Sequence, residues 1–382
     1  MSQAKSNFDQ ESLDLHALHR GKLEVTSKVP LATREDLSRA YTPGVAAVCL
    51  AIARDPRLVY THTIKANTVA IVSDGSAILG IGNLGPEAAL PVMEGKAILF
   101  KGFGGVDAFP ICLATQNVEE IIQAVKMIAP VFGGINLEDI SAPRCFEIEE
   151  RLVAELDIPV MHDDQHGTAT VVLAGLINAL KIKRLAAADA RVVICGAGAA
   201  GTAISYLLLE YGFRDIVVTD TKGIIGPTRR DLNPAKAKLS AATNPRGLAG
   251  SLATALTGAD IFLGVSAPKI VTSEMVRLMR RDPIVFAMSN PTPEIMPDEA
   301  KSGGAFIIAT GRSDFPNQVN NVLAFPGIFR GALDHGVRKI TKCMLIAAAR
   351  AIAGCVPDPV PERILPSPLE LGIAEAVADA IR

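Results

Sequence analysis

The stretch RVVICGAGAAGTAISYLLLEYG, residues 191–212, decides the fold that the sequence predicts. Its first five residues have the β-branched, apolar character of a buried strand, and the later apolar spacing is typical of a helix. Gly196, Gly198 and Gly201 form G-x-G-x-x-G between them. Glycines there permit a tight turn and let the helix N-terminus face a pyrophosphate. The predicted dinucleotide-binding loop consists of Gly196, Ala197, Gly198, Ala199, Ala200 and Gly201.

The next predicted strand, DIVVTD, ends at Asp220, 19 residues after Gly201. An acid at that point can accept hydrogen bonds from the adenosine ribose hydroxyls, which favours NAD. Lys222 and the pair Arg229-Arg230 could instead serve the 2′-phosphate of NADP, although each is more typical of solvated surface charge. Both cofactors therefore stay open, and a glycine turn in a fold with another ligand is the weaker alternative.

The remaining chain alternates short β-rich runs with helical runs, the pattern of an α/β protein with parallel strands. With 382 residues, the chain is longer than one typical domain. We predict an N-terminal α/β substrate or catalytic domain over residues 1–163. A doubly wound, Rossmann-like dinucleotide-binding domain should follow over residues 164–382 and end in helices.

The composition argues against several classes of partner. The formal net charge is −2, aromatic residues make up 4% and tryptophan is absent, so nothing indicates a nucleic-acid surface. The N-terminus lacks the apolar core of a signal peptide, and no apolar run is long enough to cross a bilayer. The six cysteines have no paired spacing and are expected to be buried and reduced. We expect a cytoplasmic protein that binds neither nucleic acid nor membrane.

Two acidic pairs follow predicted strands of the first domain. Glu138 and Asp139 come at the end of GGINLEDI, and Asp163 and Asp164 follow the apolar run in PVMHDDQHGTAT. Open α/β sheets place ligands at the carboxyl ends of their strands. Carboxylate oxygens without cysteine suit a hard divalent ion, Mg²⁺ or Mn²⁺. The sequence therefore contains a candidate metal site at this edge of the first sheet.

Helix capping explains the same acids equally well. Asp139 and Ser141 could cap one following helix and Asp164 the next, because acids are common at helix starts. Spacing alone supports capping and metal binding equally. His162 and His166 are not assigned as ligands, because imidazole is a second choice for Mg²⁺.

Seven motifs along the chain are highly specific: SRAYTPGVA (38–46), IVSDGSAILGIGNLG (71–85), VMEGKAILFKGFGGVDAFPI (92–111), GGINLEDI, HDDQHGTA, SNPTPE (289–294) and NQVNNVLAFPGIFRGAL (317–333). Together they resemble the malic enzymes, most of all their short bacterial and archaeal form, over nearly the whole chain. Malic enzymes oxidise and decarboxylate (S)-malate to pyruvate and carbon dioxide with NAD⁺ or NADP⁺ and a divalent metal. The resemblance implies that reaction, together with decarboxylation of oxaloacetate.

The resemblance also assigns the catalytic residues. Tyr41 matches the tyrosine that protonates the enolate, and Lys96 matches the lysine that acts as general base. Asp163 matches the acid that contacts this lysine, where it can orient the amine or relay its proton. Because only a neutral amine can accept a proton, the pKa of Lys96 should be lowered by burial and by the metal.

Metal and substrate ligands follow from the same resemblance. The metal ligands are Glu138, Asp139 and Asp164. The amides that hold substrate beside the nicotinamide are Asn290 and Asn321, with Asn320 adjacent, and Asn290 also belongs to the cofactor site. The implied cofactors are NAD or NADP and Mg²⁺ or Mn²⁺, and the implied assembly is a homodimer.

One departure from the family pattern concerns the segment after the Ser-Asp-Gly turn. In the large eukaryotic forms this segment carries an arginine that grips a malate carboxylate, whereas the stretch SAILGIGN has none. The short forms share this feature, and the cation that binds the carboxylate is left unidentified. The competing prediction is a dehydrogenase of a hydroxy acid or amino acid that needs no metal.

Overall fold

The computed structural model describes residues 8–78 and 80–382 and confirms the predicted α/β fold. The first sheet consists of β1 Thr68–Ser73, β2 Asp107–Cys112, β3 Gly134–Leu137 and β4 Val160–His162. These strands are all parallel, in the order β2-β1-β3-β4. The central strands β1 and β3 are buried along their whole length, as expected where helices cover both faces of a parallel sheet.

The second sheet has six strands among the described residues. They are β5 Arg191–Cys195, β6 Asp215–Asp220, β7 Gly223–Ile224, β8 Ile261–Gly264, β9 Ile284–Ala287 and β10 Ile307–Thr310. Their order is β10-β9-β8-β5-β6-β7, and only β7 is antiparallel. Because the chain order reverses between β5 and β8, a crevice opens at their carboxyl ends, where doubly wound sheets bind ligands.

The helices that cover these sheets are α1 Phe8–His19, α2 Arg34–Ala40, α3 Val45–Arg54, α4 Val59–His62, α5 Pro86–Gly104, α6 Val118–Ile128, α7 Arg144–Glu155, α8 Asp163–Lys183, α9 Ala199–Tyr211, α10 Pro234–Ala242, α11 Leu252–Leu256, α12 Ser273–Arg277, α13 Pro297–Ser302, α14 Phe325–Asp334, α15 Lys342–Gly354 and α16 Ile373–Ala380. Helix α5 covers the apolar run at residues 88–100 and extends beyond it at both ends. Pro86 occupies its first position, and Gly105 ends it in the left-handed conformation.

Strand β2 was not predicted as a strand. Its sequence DAFPIC contains Pro110, which lacks a backbone donor and lowers the expectation of a strand. In the structure β2 lies at the edge of the sheet, the position that tolerates proline.

Helix α8 begins directly after β4 and joins the two sheets. It packs against α9 and α15, and its buried residues include Val171, Val172 and Leu173. Helix α14 returns from the second half of the chain to α5, where the Phe325 ring lies 4.6 Å from that of Phe100. One hydrophobic core therefore spans both sheets, and the domain boundary at residues 163/164 stays a prediction.

The N-terminal part of the described chain lies on the surface. Helices α1 to α4 contain no buried residue. None of the helices in residues 8–78 and 80–382 is long and apolar enough to span a bilayer. All six cysteines are free, but the expectation that they are buried is wrong for Cys49 and Cys343, which are exposed.

Candidate active site

The two acidic pairs meet at one edge of the first sheet. Strands β3 and β4 are neighbours, with Leu137 opposite His162, so the residues that follow each strand lie side by side. The carboxylates of Glu138, Asp139 and Asp164 have oxygen atoms within 4.8 Å of one another. An all-oxygen set of three carboxylates fits Mg²⁺ or Mn²⁺.

Backbone contacts hold these carboxylates in place. Asp139 has a φ of 53°, in the left-handed region that non-glycine residues rarely adopt. Its N–H donates to Asp164 Oδ2 at 2.9 Å, and its carbonyl accepts from the Ala77 N–H at 3.0 Å. Backbone in a sparsely populated conformation that the surroundings enforce is typical of functional sites.

The capping alternative for these acids is wrong. Helix α7 has Pro143 as its N-cap residue and helix α8 has His162, and no side chain caps either helix by a hydrogen bond. Asp139, Ser141 and Asp164 therefore do not perform the capping that spacing allowed. With capping removed, the metal interpretation is the one that the geometry favours.

Lys96 lies on α5 and reaches the same cluster from the side. Its ammonium donates a short hydrogen bond to Asp163 and lies 2.9 Å from Glu138 Oε1. The Nζ atom also sits 4.1 Å from the centroid of the Phe325 ring. Burial by itself would lower the pKa of Lys96, but the carboxylates of Asp163 and Glu138 outweigh it and raise the pKa above its ordinary value. The expected lowering is therefore absent in the protein without a metal.

Asp163 is the most buried member of the cluster. Its side chain has no solvent exposure, and Oδ1 has no hydrogen-bond partner among the described residues. Burial raises the pKa of Asp163 to about 6, although Lys96 opposes this shift. A side chain at Gly167 would collide with this carboxylate and would approach Asn321, so the glycine lets all three groups pack together.

The three predicted amides occupy different environments. Asn321 starts the one-turn 3₁₀ helix Asn321–Leu323, which packs against α8. Asn320 Oδ1 accepts from the Val322 N–H at 3.0 Å and caps this turn. Asn290 follows β9. Its carbonyl oxygen would lie only 2.9 Å from a Cβ added to Gly80. The loops of the two sheets therefore face each other across the crevice.

Tyr41 is not brought to this cluster within one chain. It ends α2, precedes a cis Thr42-Pro43 bond and is 65% exposed. Its side chain makes no hydrogen bond to Lys96 or to the described carboxylates. Its part in catalysis stays a prediction.

The glycine loop has the geometry that the sequence predicted. Gly196 has a φ of 117°, and a side chain at Gly196 would collide with the Val265 carbonyl. A side chain at Gly201 would collide with the carbonyl of Gly196. Gly198 is the N-cap residue of α9, so the first turn of this helix faces the crevice between β5 and β8. The loop can therefore accept a pyrophosphate against the helix N-terminus.

Asp220 is already occupied by basic partners. It accepts from Arg229 Nη1 at 3.1 Å, from Lys236 Nζ at 2.6 Å and from the Lys222 N–H at 2.9 Å. Burial opposes its ionisation, but these hydrogen bonds outweigh it and lower its pKa to about 2. The interpretation of Arg229 as solvated charge is wrong, because its side chain is only 16% exposed.

Sequence reasoning missed an ion pair beside the acidic cluster. Asp74, in the Ser-Asp-Gly turn, accepts from Arg144 Nη2 at 2.9 Å, and its side chain is fully buried. The available signals were an aspartate after a buried strand and an arginine shortly after Glu138 and Asp139. Nothing in the sequence linked two residues 70 positions apart.

Comparisons with known proteins identify the family of the chain. The family model for the malic enzyme N-terminal domain matches residues 20–153, and that for the malic enzyme NAD-binding domain matches residues 165–381. The NAD-dependent malic enzyme of Geobacillus stearothermophilus is 60% identical over 94% of this chain and 76% of its own length. The bifunctional malic/malolactic enzyme of Bacillus subtilis is 54% identical over 97% and 92%. The crystal structure of NAD-dependent malic enzyme from Thermotoga maritima has a TM-score of 0.94 and 51% identity, covering 97% of this chain and 98% of that one.

Proposed function

Because the chain belongs to the malic enzyme family, we propose that it converts (S)-malate to pyruvate and carbon dioxide while reducing NAD⁺ or NADP⁺. The observation that carries the proposal is the cluster of Glu138, Asp139 and Asp164 beside Lys96. A plain dehydrogenase has no need of three converging carboxylates next to a buried lysine. Oxaloacetate, which shares the carboxylates of malate, is proposed as a second substrate for decarboxylation.

The metal would be held by Glu138, Asp139 and Asp164, whose oxygen atoms converge without any soft ligand. When bound, Mg²⁺ or Mn²⁺ would supply a Lewis acid for the C2 oxygen, which favours loss of the C4 carboxylate once C2 is a carbonyl. Asn290 and Asn321 would orient the substrate towards the nicotinamide, because their segments line the crevice between the sheets.

Lys96 would accept the proton of the C2 hydroxyl as hydride leaves for the cofactor. Glu138 lies 2.9 Å from the ammonium and favours its charged form; a metal held by Glu138, Asp139 and Asp164 would offset this attraction. Asp163, which is hydrogen-bonded to Nζ, would orient the amine or relay its proton.

Tyr41 would protonate C3 of the enolate from a second copy of the chain. The support is that Tyr41 is exposed, together with large apolar side chains of the same segment such as Val25 and Leu31 at 90% and 66% exposure. Several large exposed apolar side chains in one segment favour an interface between proteins. We therefore propose a homodimer, in which each site receives Tyr41 from its partner.

A steady-state assay with malate and Mn²⁺ tests the proposed reaction, with NAD⁺ and NADP⁺ compared. Reduced cofactor and pyruvate should appear together, and EDTA should abolish both. Lactate is measured as well, because one relative is named a malic/malolactic enzyme. Hydride transfer that survives EDTA and yields no pyruvate would establish the metal-independent dehydrogenase instead.

The cellular setting remains a prediction. Six unpaired cysteines are typical of a reducing compartment, and we propose that the enzyme works in the cytoplasm on small molecules, without nucleic acid or membrane partners. Fractionation of cells expressing the native chain, with malate-dependent reduction of the cofactor as readout, tests this location.

A further inference from the structure

Arg144, the first residue of α7, connects the loops that follow three neighbouring strands. Its Nη1 donates a short hydrogen bond to the Gln116 carbonyl in the loop after β2. Its Nη2 donates to Asp74 Oδ2 at 2.9 Å and to Ser76 Oγ at 3.0 Å in the loop after β1. Ser141 Oγ, in the loop after β3, accepts from the same Nη2 at 3.1 Å.

Two further contacts extend this cluster to the metal carboxylates. Ser76 Oγ accepts from the Ser141 N–H at 2.9 Å. The Ala77 N–H donates to the carbonyl of Asp139 at 3.0 Å. Movement of the loop after β1 would therefore move the backbone of Asp139, whose own N–H binds Asp164.

The ion pair with Asp74 fixes the charge and the orientation of the Arg144 guanidinium. The Asp74 side chain is fully buried, and its Oδ1 accepts from the Ser76 N–H at 3.0 Å and from Ser76 Oγ at 2.6 Å. The guanidinium is thus neutralised and directed into the protein by a buried partner. Arg144 acts through the backbone and hydroxyl groups of the loops that it joins, because its charge is already paired.

We propose that Arg144 is a positioning residue for malate and for the metal carboxylates: with Asp74 it locks the segment from Ser76 to Ile78 against Asp139. This inference rests on the proposed function of the acidic cluster. Gly80, shortly after this segment, lies against Asn290 across the crevice. The same lock therefore sets the width of the site in which malate must fit. The segment after β1 has no arginine of its own, and Arg144 from α7 holds it in shape.

The test compares Arg144→Ala with Arg151→Ala, a matched control on the same helix whose ion pairs with Glu119 and Glu155 lie at the surface. For Arg144→Ala the KM for malate and the dissociation constant for Mn²⁺, measured by calorimetry without substrate, should each rise about tenfold, the effect of one hydrogen bond to a charged group. The KM for the dinucleotide should change by less than about twofold. Arg151→Ala should change none of these values.

Chemical rescue separates positioning from a general loss of structure. Arg144 lines a cavity of about 550 Å³ that also borders Gln165 and Tyr206, so added guanidinium ion can reach the vacated place. Guanidinium chloride at low millimolar concentration should restore much of the malate KM of Arg144→Ala, whereas sodium chloride should not. Equal losses for malate and dinucleotide, or no rescue, would overturn the proposal.

Removing one partner leaves an unpaired buried charge, which weakens folding. The double variant Asp74→Asn/Arg144→Met removes both charges and keeps similar volumes. It should fold, by circular dichroism and thermal unfolding, and still show the weakened Mn²⁺ binding. Normal Mn²⁺ binding in this variant would refute the lock. Failure of the native enzyme to oxidise malate would refute the proposed function, while the Mn²⁺ measurement would still test the lock.

Discussion

Two opposing electrostatic effects meet at Lys96. Burial favours the neutral amine, whereas Asp163 and Glu138 favour the ammonium and prevail. Because Lys96 is charged in the resting protein, it can act as a base only after changes at neighbouring groups favour its neutral form. Lys96→Met should lower kcat by about 10²–10⁴-fold, the usual contribution of a positioned base. Steady-state assays under saturating malate measure this loss.

The control for that variant is Lys101→Met on the same helix, where the side chain is 62% exposed. It should leave kcat unchanged. If Lys96→Met retained most of the activity, another group would have to remove the hydroxyl proton.

Asp220 predicts a pH dependence of stability. Its pKa in the folded protein is about 2, below the ordinary value of about 4. The unfolded chain therefore binds this proton more readily, so the stabilisation is present above pH 4 and is lost as the pH falls towards 2. Wild type should exceed Asp220→Asn in thermal unfolding temperature at pH 7, and the gap should narrow below pH 4. A gap independent of pH would exclude this ion pair as its cause.

Lys236 bears on the choice of cofactor. Asp220 accepts from Arg229 through both oxygens and from Lys236 and the Lys222 N–H, so its usual acceptor sites are filled. We therefore predict that Asp220 does not bind the ribose hydroxyls and that Lys236 contacts the 2′-phosphate when NADP⁺ is bound. Lys236→Gln should weaken binding of adenosine 2′,5′-bisphosphate about tenfold and leave 5′-AMP unchanged, by calorimetry. Lys238→Gln on the same helix is the control, and equal effects of both variants would contradict this role.

At the scale of elements, the turn between β5 and α9 depends on one close approach. A Cβ at Gly201 would collide with the Gly196 carbonyl, whereas a Cβ at Gly198 would meet no other atom within 4 Å. Gly201→Ala should therefore raise the dissociation constant for NAD(P)⁺ by at least about tenfold, because the turn can no longer bring its N–H groups to the pyrophosphate. Fluorescence titration measures this binding. Gly198→Ala, the matched control, should disturb the turn less, and the reverse ranking would contradict the structure.

Helices α5 and α14 show how elements distant in sequence create the site. Phe325 and Phe329 of α14 pack against Phe100 of α5, with ring centroids 4.6 and 5.5 Å apart. This contact brings the Phe325 ring beneath Lys96 and the preceding Asn321 towards Gly167. No periodicity in the sequence indicated that these two helices would meet.

At the scale of the whole molecule, the exposed Tyr41 predicts a shared site. A mixture of two inactive variants tests it, because a heterodimer of Tyr41→Phe and Lys96→Met chains contains one site with both native residues. Activity should return after the two variants are unfolded and refolded together, and sedimentation should show dimers. If each site used its own Tyr41, the heterodimer would contain no intact site and the mixture would stay inactive.

The sequence by itself determined the local motifs of this protein: the strand–glycine turn–helix unit, and the acidic pairs at the ends of β3 and β4. These features depend on neighbouring residues, whose periodicity and turn chemistry act over a few positions. It could not exclude capping for Asp139 and Asp164, because acids at helix starts look alike whether or not they cap.

Only the tertiary structure decided which charges face one another. Lys96 and Asp163 are 67 positions apart, and Asp74 and Arg144 are 70. Such pairs form because parallel strands bring distant loops to one edge of a sheet, and burial then requires each charge to find a partner. The same packing filled the acceptor sites of Asp220 and left Tyr41 on the surface. Neither feature can be predicted from sequence spacing, because both depend on distances that arise only when the sheets are assembled.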